Sequence, residues 1–195
     1  MPWSITLMWA ERAVSYVDNI MKVGSSNRWH DVVHTGIRFK TQNYEAVQKQ
    51  LSEQISKQRE MLKGGGWFYK MANAVEQTGM GNCMERSVLA FRYLETVGRE
   101  KGVAYFSIKS ENPPGIDHAF VVLGLDEKPA KQESFKFGTE TPSWGLTAVV
   151  CDPWYHEWFN SSVEWKRKGK HILQSTSKNK LNDETKIILT LIHYV

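Results

Sequence analysis

Three residues in one chain order could together perform nucleophilic catalysis: Cys83, His118 and Asp152. A thiolate attacks a carbonyl carbon far more readily than a thiol does. A nearby imidazole can take the thiol proton and later give it to a leaving group. A carboxylate on the other side of the imidazole holds the ring in one tautomer and stabilises its protonated form. The three residues therefore predict a nucleophile, a general base and an orienting acid.

The segment around Cys83 predicts that this residue opens a helix. Gly79 and Gly81 lie in a short loop before it, and apolar residues then recur at helical spacing up to Val97. Asn82 is a residue type that favours the N-cap position, so Cys83 is predicted in the first helical turn. The partial positive charge of a helix N-terminus favours a thiolate over a thiol. The alternative is that Cys83 is only a small buried residue at a helix start.

The other two residues border apolar runs that are typical of strands. His118 begins one run, and Asp152 closes the next. An imidazole at the end of a sheet can point toward a helix N-terminus, and a carboxylate on a neighbouring strand can reach its second nitrogen. We therefore expect both side chains to meet Cys83 at one end of a sheet.

Neighbouring residues could take over two of these roles. Asp117 should face away from His118 by strand alternation, and it is a second candidate for the orienting carboxylate. His156, four residues after Asp152, is a second candidate for the base. Cys151 should face away from Asp152 and is expected in the core.

The elements that must position these residues predict an α+β fold with an antiparallel sheet, because one helix precedes a set of consecutive strand-like runs. Those runs cover residues 103–109, 118–125, 147–151 and 186–194. The polar stretch 126–145 is expected to form a hairpin or a disordered flap, and the basic stretch 166–170 a solvated loop.

The half of the chain before Cys83 is predicted to be helical. Residues 5–23 and 41–63 have helical patterns, whereas 28–40 fits either a short strand or a turn of helix. The run Gly64-Gly65-Gly66 ends the second helix. It predicts a boundary between an N-terminal helical extension, residues 1–63, and a catalytic core, residues 64–195.

Composition excludes several classes of protein. The 195 residues are 41% hydrophobic and carry a net charge of +4 from well-mixed acids and bases, so no nucleic-acid partner is predicted. The two cysteines provide no disulfide framework and favour a reducing compartment. No apolar run approaches the roughly 18 residues that span a bilayer, so no membrane partner is predicted. His30 and His34 have a spacing that can bind a metal, but no further ligand accompanies them, and no metal or cofactor is expected.

The segments around the three residues resemble those of papain-like and transglutaminase-like cysteine hydrolases. Such enzymes carry a glutamine six residues and a glycine two residues before the nucleophile, and this chain has Gln77, Gly81 and Cys83. The strand start Asp117-His118-Ala119 fits the same families, and Asp152-Pro153-Trp154 is closest to the transglutaminase-like branch and to bacterial effector proteases and deamidases. The matching segments cover about a third of the chain, and the spacing from cysteine to histidine is much shorter than in papain.

The resemblance implies a role for each matching residue. Cys83 would be the nucleophile, His118 the general base and acid, and Asp152 the orienting acid. The Gln77 side chain and the Cys83 backbone N–H would form the oxyanion hole. Trp154 would shield the hydrogen bond between His118 and Asp152.

Two residues that flank the nucleophile, Asn82 and Met84, would line the groove. Met84 stands where these families usually have an aromatic residue. The implied fold is a papain-like or transglutaminase-like core, in which the nucleophile helix packs on an antiparallel sheet.

The implied function is a cysteine-dependent hydrolase that acts on amide bonds of a protein substrate through a thioester intermediate. Within that class the residues leave glutamine deamidase, transglutaminase and thiol protease open. The small size and the cysteine usage suit a cytoplasmic protein, or a bacterial effector or toxin that a dedicated secretion system delivers into another cell. Two further classes remain: an amidase on cell-wall peptides, and a catalytically idle module of the same fold that binds a protein partner.

Overall fold

The computed structural model describes residues 3–38, 40–62, 64–111 and 114–195. Helices occupy most of the first half of the chain and strands most of the second. The helices are α1 Trp3–Ile20, α2 Trp29–Arg38, α3 Tyr44–Met61, α4 Trp67–Thr78, α5 Cys83–Thr96, α6 Ser161–Glu164 and α7 Lys170–Thr176, with a π-helical segment, Trp165–Gly169, between the last two. The strands are β1 Ala104–Ser110, β2 Asp117–Leu123, β3 Gln132–Lys136, β4 Val149–Asp152, β5 Glu157–Asn160 and β6 Lys186–Tyr194. Among the described helices, none is long and apolar enough to cross a membrane.

The strands form one sheet in the order β3-β6-β1-β2-β4-β5, and every neighbouring pair is antiparallel. The predicted α+β class with an antiparallel sheet is therefore confirmed. Two strands lie outside the four predicted strand-like runs. β3 falls inside the stretch 126–145, and it pairs with β6 and not with a neighbour in the chain. β5 pairs with β4 directly after the turn that follows Asp152.

The stretch 166–170, expected to be a solvated loop, is helical instead. Its apolar anchor is Trp165, which is buried and packs edge-on against Phe135 and Trp144 at ring-centroid distances of 5.7 and 5.3 Å. A Cβ on Gly169 would lie 2.5 Å from the Trp165 ring, so only glycine allows this helical segment to close over the indole. Burial of Trp165 thus holds this segment in a helical conformation, although its basic composition is typical of a loop.

The sheet separates two hydrophobic cores. Ala119 and Val121 of β2 enter the first core, together with the buried residues of α1, α4 and α5. Phe120 and Val122, which alternate with them, enter the second core, beneath the π-helical segment and α7. Strand alternation therefore decides which side chains of β2 meet the nucleophile helix and which do not.

The N-terminal helix α1 belongs to the first core. Ala10, Ala13, Val14 and Val17 are buried there with residues of α5 and β4. The boundary predicted at Gly64 therefore does not separate two cores, although α2 and α3 share a small cluster of their own. That cluster is formed by Val32, Val47 and Leu51.

Shortening a buried side chain of α1 tests this view of the fold. We expect Val14→Ala to lower the free energy of unfolding by about 2–3 kcal/mol, because two buried methyl groups are lost and a cavity remains. The exposed residue Glu11 on the same helix provides a control: Glu11→Ala should change stability by less than about 0.5 kcal/mol. Urea unfolding followed by circular dichroism measures both. If both variants changed the free energy of unfolding by similarly small amounts, α1 would contribute little to the first core.

Candidate active site

Cys83 is the first residue of α5, as predicted, and an ion pair between a buried glutamate and a half-buried arginine fixes the turn that carries it. The N-cap residue Asn82 donates its backbone N–H to Glu85 at 2.9 Å. Glu85 is fully buried, and Arg59 of α3 donates two hydrogen bonds to its carboxylate at 2.6 and 2.8 Å. These hydrogen bonds raise the pKa of Arg59. The start of α5 is thus held by a residue from the N-terminal half of the chain.

The loop before Cys83 is fixed on its other side by residues 24–26. The Gly81 backbone N–H donates to the Gly24 carbonyl at 3.1 Å, and the Asn82 side-chain oxygen accepts the Ser26 backbone N–H at 3.2 Å. A Cβ on Gly81 would collide with the Cβ of Glu85, so glycine is required for the loop to pass this close to the helix. Both constraints limit where the Cys83 thiol can lie.

His118 and Asp152 form a buried pair at the end of the sheet. The His118 Nε2 atom lies 2.7 Å from Asp152 Oδ2, and both side chains are almost completely excluded from solvent. The second carboxylate oxygen, Oδ1, accepts the backbone N–H groups of Trp154 and Tyr155 at 3.0 and 3.2 Å. Each oxygen of the buried carboxylate therefore has a donor, and the turn after β4 holds Asp152 in one orientation.

The remaining nitrogen of His118, Nδ1, is the one available to Cys83. Burial lowers the pKa of His118, but the charge of Asp152, its hydrogen bond and the neighbouring Cys83 thiolate outweigh that effect and raise the pKa to about 10. Both neighbours of the ring raise its pKa, Asp152 more strongly than Cys83. The arrangement favours a protonated His118 ring beside Asp152 and Cys83.

The register of the strands explains how the three side chains meet. His118 alternates with Ala119, and Asp152 with Cys151, so His118 and Asp152 lie on the same face of the sheet. That face is opposite to α5, but His118 is the second residue of β2 and Asp152 the last of β4. Both therefore lie at the end of the sheet, where the N-terminus of α5 can reach them. The Ser87 hydroxyl of α5 ties the helix there by donating to the Ala119 carbonyl at 2.8 Å.

The raised pKa of His118 makes stability depend on pH. When the pKa of a histidine is higher in the folded protein than in the unfolded chain, the protonated ring stabilises the fold. This stabilisation is complete below about pH 6.5, the ordinary pKa of histidine. The contribution is lost as the pH rises through the folded pKa of about 10. We expect the difference in free energy of unfolding between the wild type and His118→Gln to shrink between pH 7 and 10. Urea titrations at pH 6, 8 and 10 measure it, and a constant difference would contradict the buried charged pair.

A cavity of about 230 Å³ opens beside the thiol. Its helical wall is formed by Cys83 and Met84 of α5, with Arg59 of α3 and Trp67 of α4. The opposite wall is formed by β1, β2 and β6 and includes Tyr105, Asp117 and His118. Cys83 and His118 therefore line the same cavity. Met84 lines it, whereas Asn82 is not among the lining residues and accepts a hydrogen bond from the Ser26 backbone N–H.

Gln77, to which the resemblance gives an oxyanion role, belongs to helix α4. Helix α4 continues through it to Thr78, so Gln77 belongs to the last helical turn and not to the loop. Its side chain is exposed, because it lies about 200° around the helix from the buried Val75. Gln77 is not among the residues that line the cavity beside Cys83. The placement of this residue gives no support to the oxyanion role that the resemblance implied.

The ring that packs on His118 belongs to Tyr155, one residue after Trp154. The Tyr155 and His118 rings are 5.6 Å apart in an edge-on arrangement. Burial raises the pKa of Tyr155 to about 12, and the nearby charge of Asp152 adds to this. Trp154 instead lies beneath the guanidinium groups of Arg28 and Arg86, at 5.4 and 5.9 Å from its ring centroid. Trp154 contributes its backbone N–H to Asp152, and Tyr155 provides the aromatic cover.

The second candidates for the acid and the base do not take those roles. Asp117 is exposed at the cavity and Nε2 of His118 pairs with Asp152, so Asp117 does not orient the ring. His156 binds Asp18 at 2.8 Å and lies 3.0 Å from a nitrogen of Arg28, on the outer side of the turn. Cys151 is buried in the first core as expected, and burial raises its pKa.

Of the two histidines considered for metal binding, the His30 side chain lies outside the described part of the structure. In the part that is described, no group of three or more histidine, cysteine or acidic side chains could hold a metal ion. Comparison of the chain with models of protein families, with curated proteins and with solved structures gives no match. The chemistry of the site therefore has to be argued from its own residues.

Proposed function

We propose that this chain is a cysteine-dependent hydrolase or acyl transferase that acts on an amide carbonyl through a thioester. The observation that supports it most is the buried His118–Asp152 pair beside the thiol of Cys83 at the N-terminus of α5. Burying a carboxylate away from water costs free energy unless a partner stabilises its charge. Here the partner is the imidazole of His118, which also lies next to Cys83.

The residues suggest the following reaction. The Cys83 thiolate attacks the carbonyl carbon, and a carbon–sulfur bond forms while the carbonyl electrons move to oxygen. The carbon–nitrogen bond then breaks, and His118 gives its proton to the departing amine or ammonia. Water, activated by the now neutral His118, attacks the thioester and releases the acid and the thiolate. Asp152 stabilises the imidazolium each time it forms.

The size of the cavity favours a single side chain as the reacting group. Its volume of about 230 Å³ is below the range of typical small-molecule sites, about 300–1,000 Å³. Trp67 and Met84 give it an apolar wall next to the nucleophile. We therefore favour a glutamine side chain of a protein substrate, which makes the chain a glutamine deamidase of the kind found among bacterial effectors and toxins. A thiol protease uses the same three residues and is the second member of the proposed class.

An activated ester tests the proposed chemistry without knowledge of the substrate. p-Nitrophenyl acetate should acetylate Cys83 and release one equivalent of nitrophenolate in a rapid burst. We expect Cys83→Ala to abolish the burst. The chain contains two cysteines, and Cys151→Ala is the matched control, which should retain the burst because Cys151 is buried in the core. Peptide mapping should find the acetyl group on Cys83.

Two outcomes would contradict the proposal. A wild-type protein that gives no burst would be a catalytically idle module, and a burst that survives in Cys83→Ala would place the nucleophile elsewhere. Once the burst is established, the intact mass of candidate protein substrates distinguishes the reactions. An increase of about one mass unit indicates deamidation, whereas fragments indicate proteolysis.

A further inference from the structure

One of the residues that line the cavity is a buried tyrosine. Tyr105 of β1 lines the cavity together with Cys83 and His118. Only 2% of the residue is exposed, and its ring packs edge-on against Phe68 at 5.4 Å. The ring is therefore packed into the first core at a position that also borders the cavity.

The hydroxyl of Tyr105 has no partner within the described part of the chain. Other tyrosine hydroxyl groups of this protein do have partners, such as Tyr16 with Glu76 and Tyr69 with Glu95. The unpartnered oxygen keeps some accessible surface, although nearly all of the residue is buried. A hydroxyl in this situation can donate to a group that enters the cavity.

An irregularity of the sheet lies at the same residue. The register between β1 and β6 shifts between Tyr105 and Phe106. Shifts of this kind are common beside active sites, where they redirect a side chain. On the other edge of β1, Tyr105 stays in register with Val121, so its side chain shares the face of the sheet that α5 covers.

We infer that the Tyr105 hydroxyl, together with the backbone N–H of Cys83, stabilises the oxyanion that forms when the Cys83 thiolate attacks a carbonyl. The backbone N–H groups of the first helical turn have no intrahelical acceptor, so the N–H of Cys83 is suited to donate. The inference rests on the proposed function. It supplies the second donor that Gln77, on the solvent side of α4, does not provide.

The electrostatic surroundings keep this hydroxyl in its donating form. Burial raises the pKa of Tyr105, and the negative charge of Cys83 is the next largest cause, ahead of Glu85. A phenol with a raised pKa stays protonated throughout the neutral range and has a proton to donate. The oxyanion then receives a hydrogen bond from a fixed neutral donor, which needs little reorganisation during the reaction.

Two reagents separate an oxyanion donor from a residue that only supports the fold. Acetylation by p-nitrophenyl acetate passes through an oxyanion, whereas alkylation by iodoacetamide replaces iodide at a saturated carbon and has none. We expect Tyr105→Phe to lower the rate of acetylation of Cys83 by about 10²–10³ while the alkylation rate changes by less than about twofold. The ring remains and no hydrogen bond within the described chain is lost, so the variant should fold.

Tyr16→Phe is the matched control, since it removes a hydroxyl that binds Glu76 away from the cavity. Both rates should be unchanged in it. The inference is overturned if Tyr105→Phe acetylates normally, if both reactions slow together, or if Gln77→Ala produces the selective loss instead. A wild type without any burst would refute the proposed function itself, which keeps the two failures distinguishable.

Discussion

Replacing His118 with glutamine should slow the alkylation of Cys83 by iodoacetamide at pH 6 by on the order of 10². In the wild type, the pKa of His118 is raised to about 10, so an imidazolium adjoins the sulfur. A neutral amide in its place leaves the thiol without this charge. An ordinary cysteine, with a pKa of about 8.5, is only about 0.3% thiolate at pH 6.

The neighbouring histidine provides the control. His156 is partly exposed and paired with Asp18, and His156→Gln should alkylate at the wild-type rate. Rates are measured by mass spectrometry with Cys151→Ala in every background, which leaves one cysteine to react. If His118→Gln reacts as fast as the wild type, the imidazole does not activate the thiol and the proposed mechanism fails.

Removing the carboxylate should affect both stability and activity. Asp152→Ala leaves the His118 ring and the backbone N–H groups of Trp154 and Tyr155 without their acceptor in a site that excludes water. We expect the free energy of unfolding to fall by about 3–5 kcal/mol, and the rate of acetylation by about 10²–10⁴. Urea unfolding and the ester burst measure the two effects.

Asp152→Asn should lie between the alanine variant and the wild type. An amide has one acceptor oxygen, and in Asp152 both oxygens accept, one from the ring and one from the turn. The amide can therefore satisfy the ring or the turn, and its NH₂ group then faces a donor. The exposed Asp126 offers a control in Asp126→Ala, which should change stability by less than about 0.5 kcal/mol. An asparagine variant equal to the wild type would contradict the double role of the carboxylate.

The parts of the site that follow from local pattern could be predicted from the sequence. Asn82 and the apolar spacing after it indicated that Cys83 opens a helix, and the structure confirms this. Strand alternation placed Cys151 in the core. Both depend on residues a few positions apart, where the periods of helix and strand determine the direction of each side chain.

The parts that depend on distant residues could not be predicted. The resemblance gave Gln77 an oxyanion role, but α4 continues through it to Thr78, and the rotation of that helix turns Gln77 to solvent. The approach of Tyr105 to the nucleophile depends on the packing of β1 under α5, and the share of α1 in the first core depends on its contacts with β4 and β5. A sequence pattern shows that such residues are apolar or aromatic, but not what they touch.

The position of β6 inside the sheet, between β3 and β1, has a consequence for how the chain folds. β6 lies between β3 and β1, and its residue Ile187 pairs with Ser110, roughly eighty residues earlier. Closing so long a loop is entropically costly, and sheets built from such distant pairs form slowly. Until β6 pairs with its neighbours, one edge of β1 is unpaired and β3 has no partner within the described sheet. Folding intermediates with unpaired strands can pair with one another and aggregate. Refolding from urea should therefore be slow, and its yield should fall as the protein concentration rises.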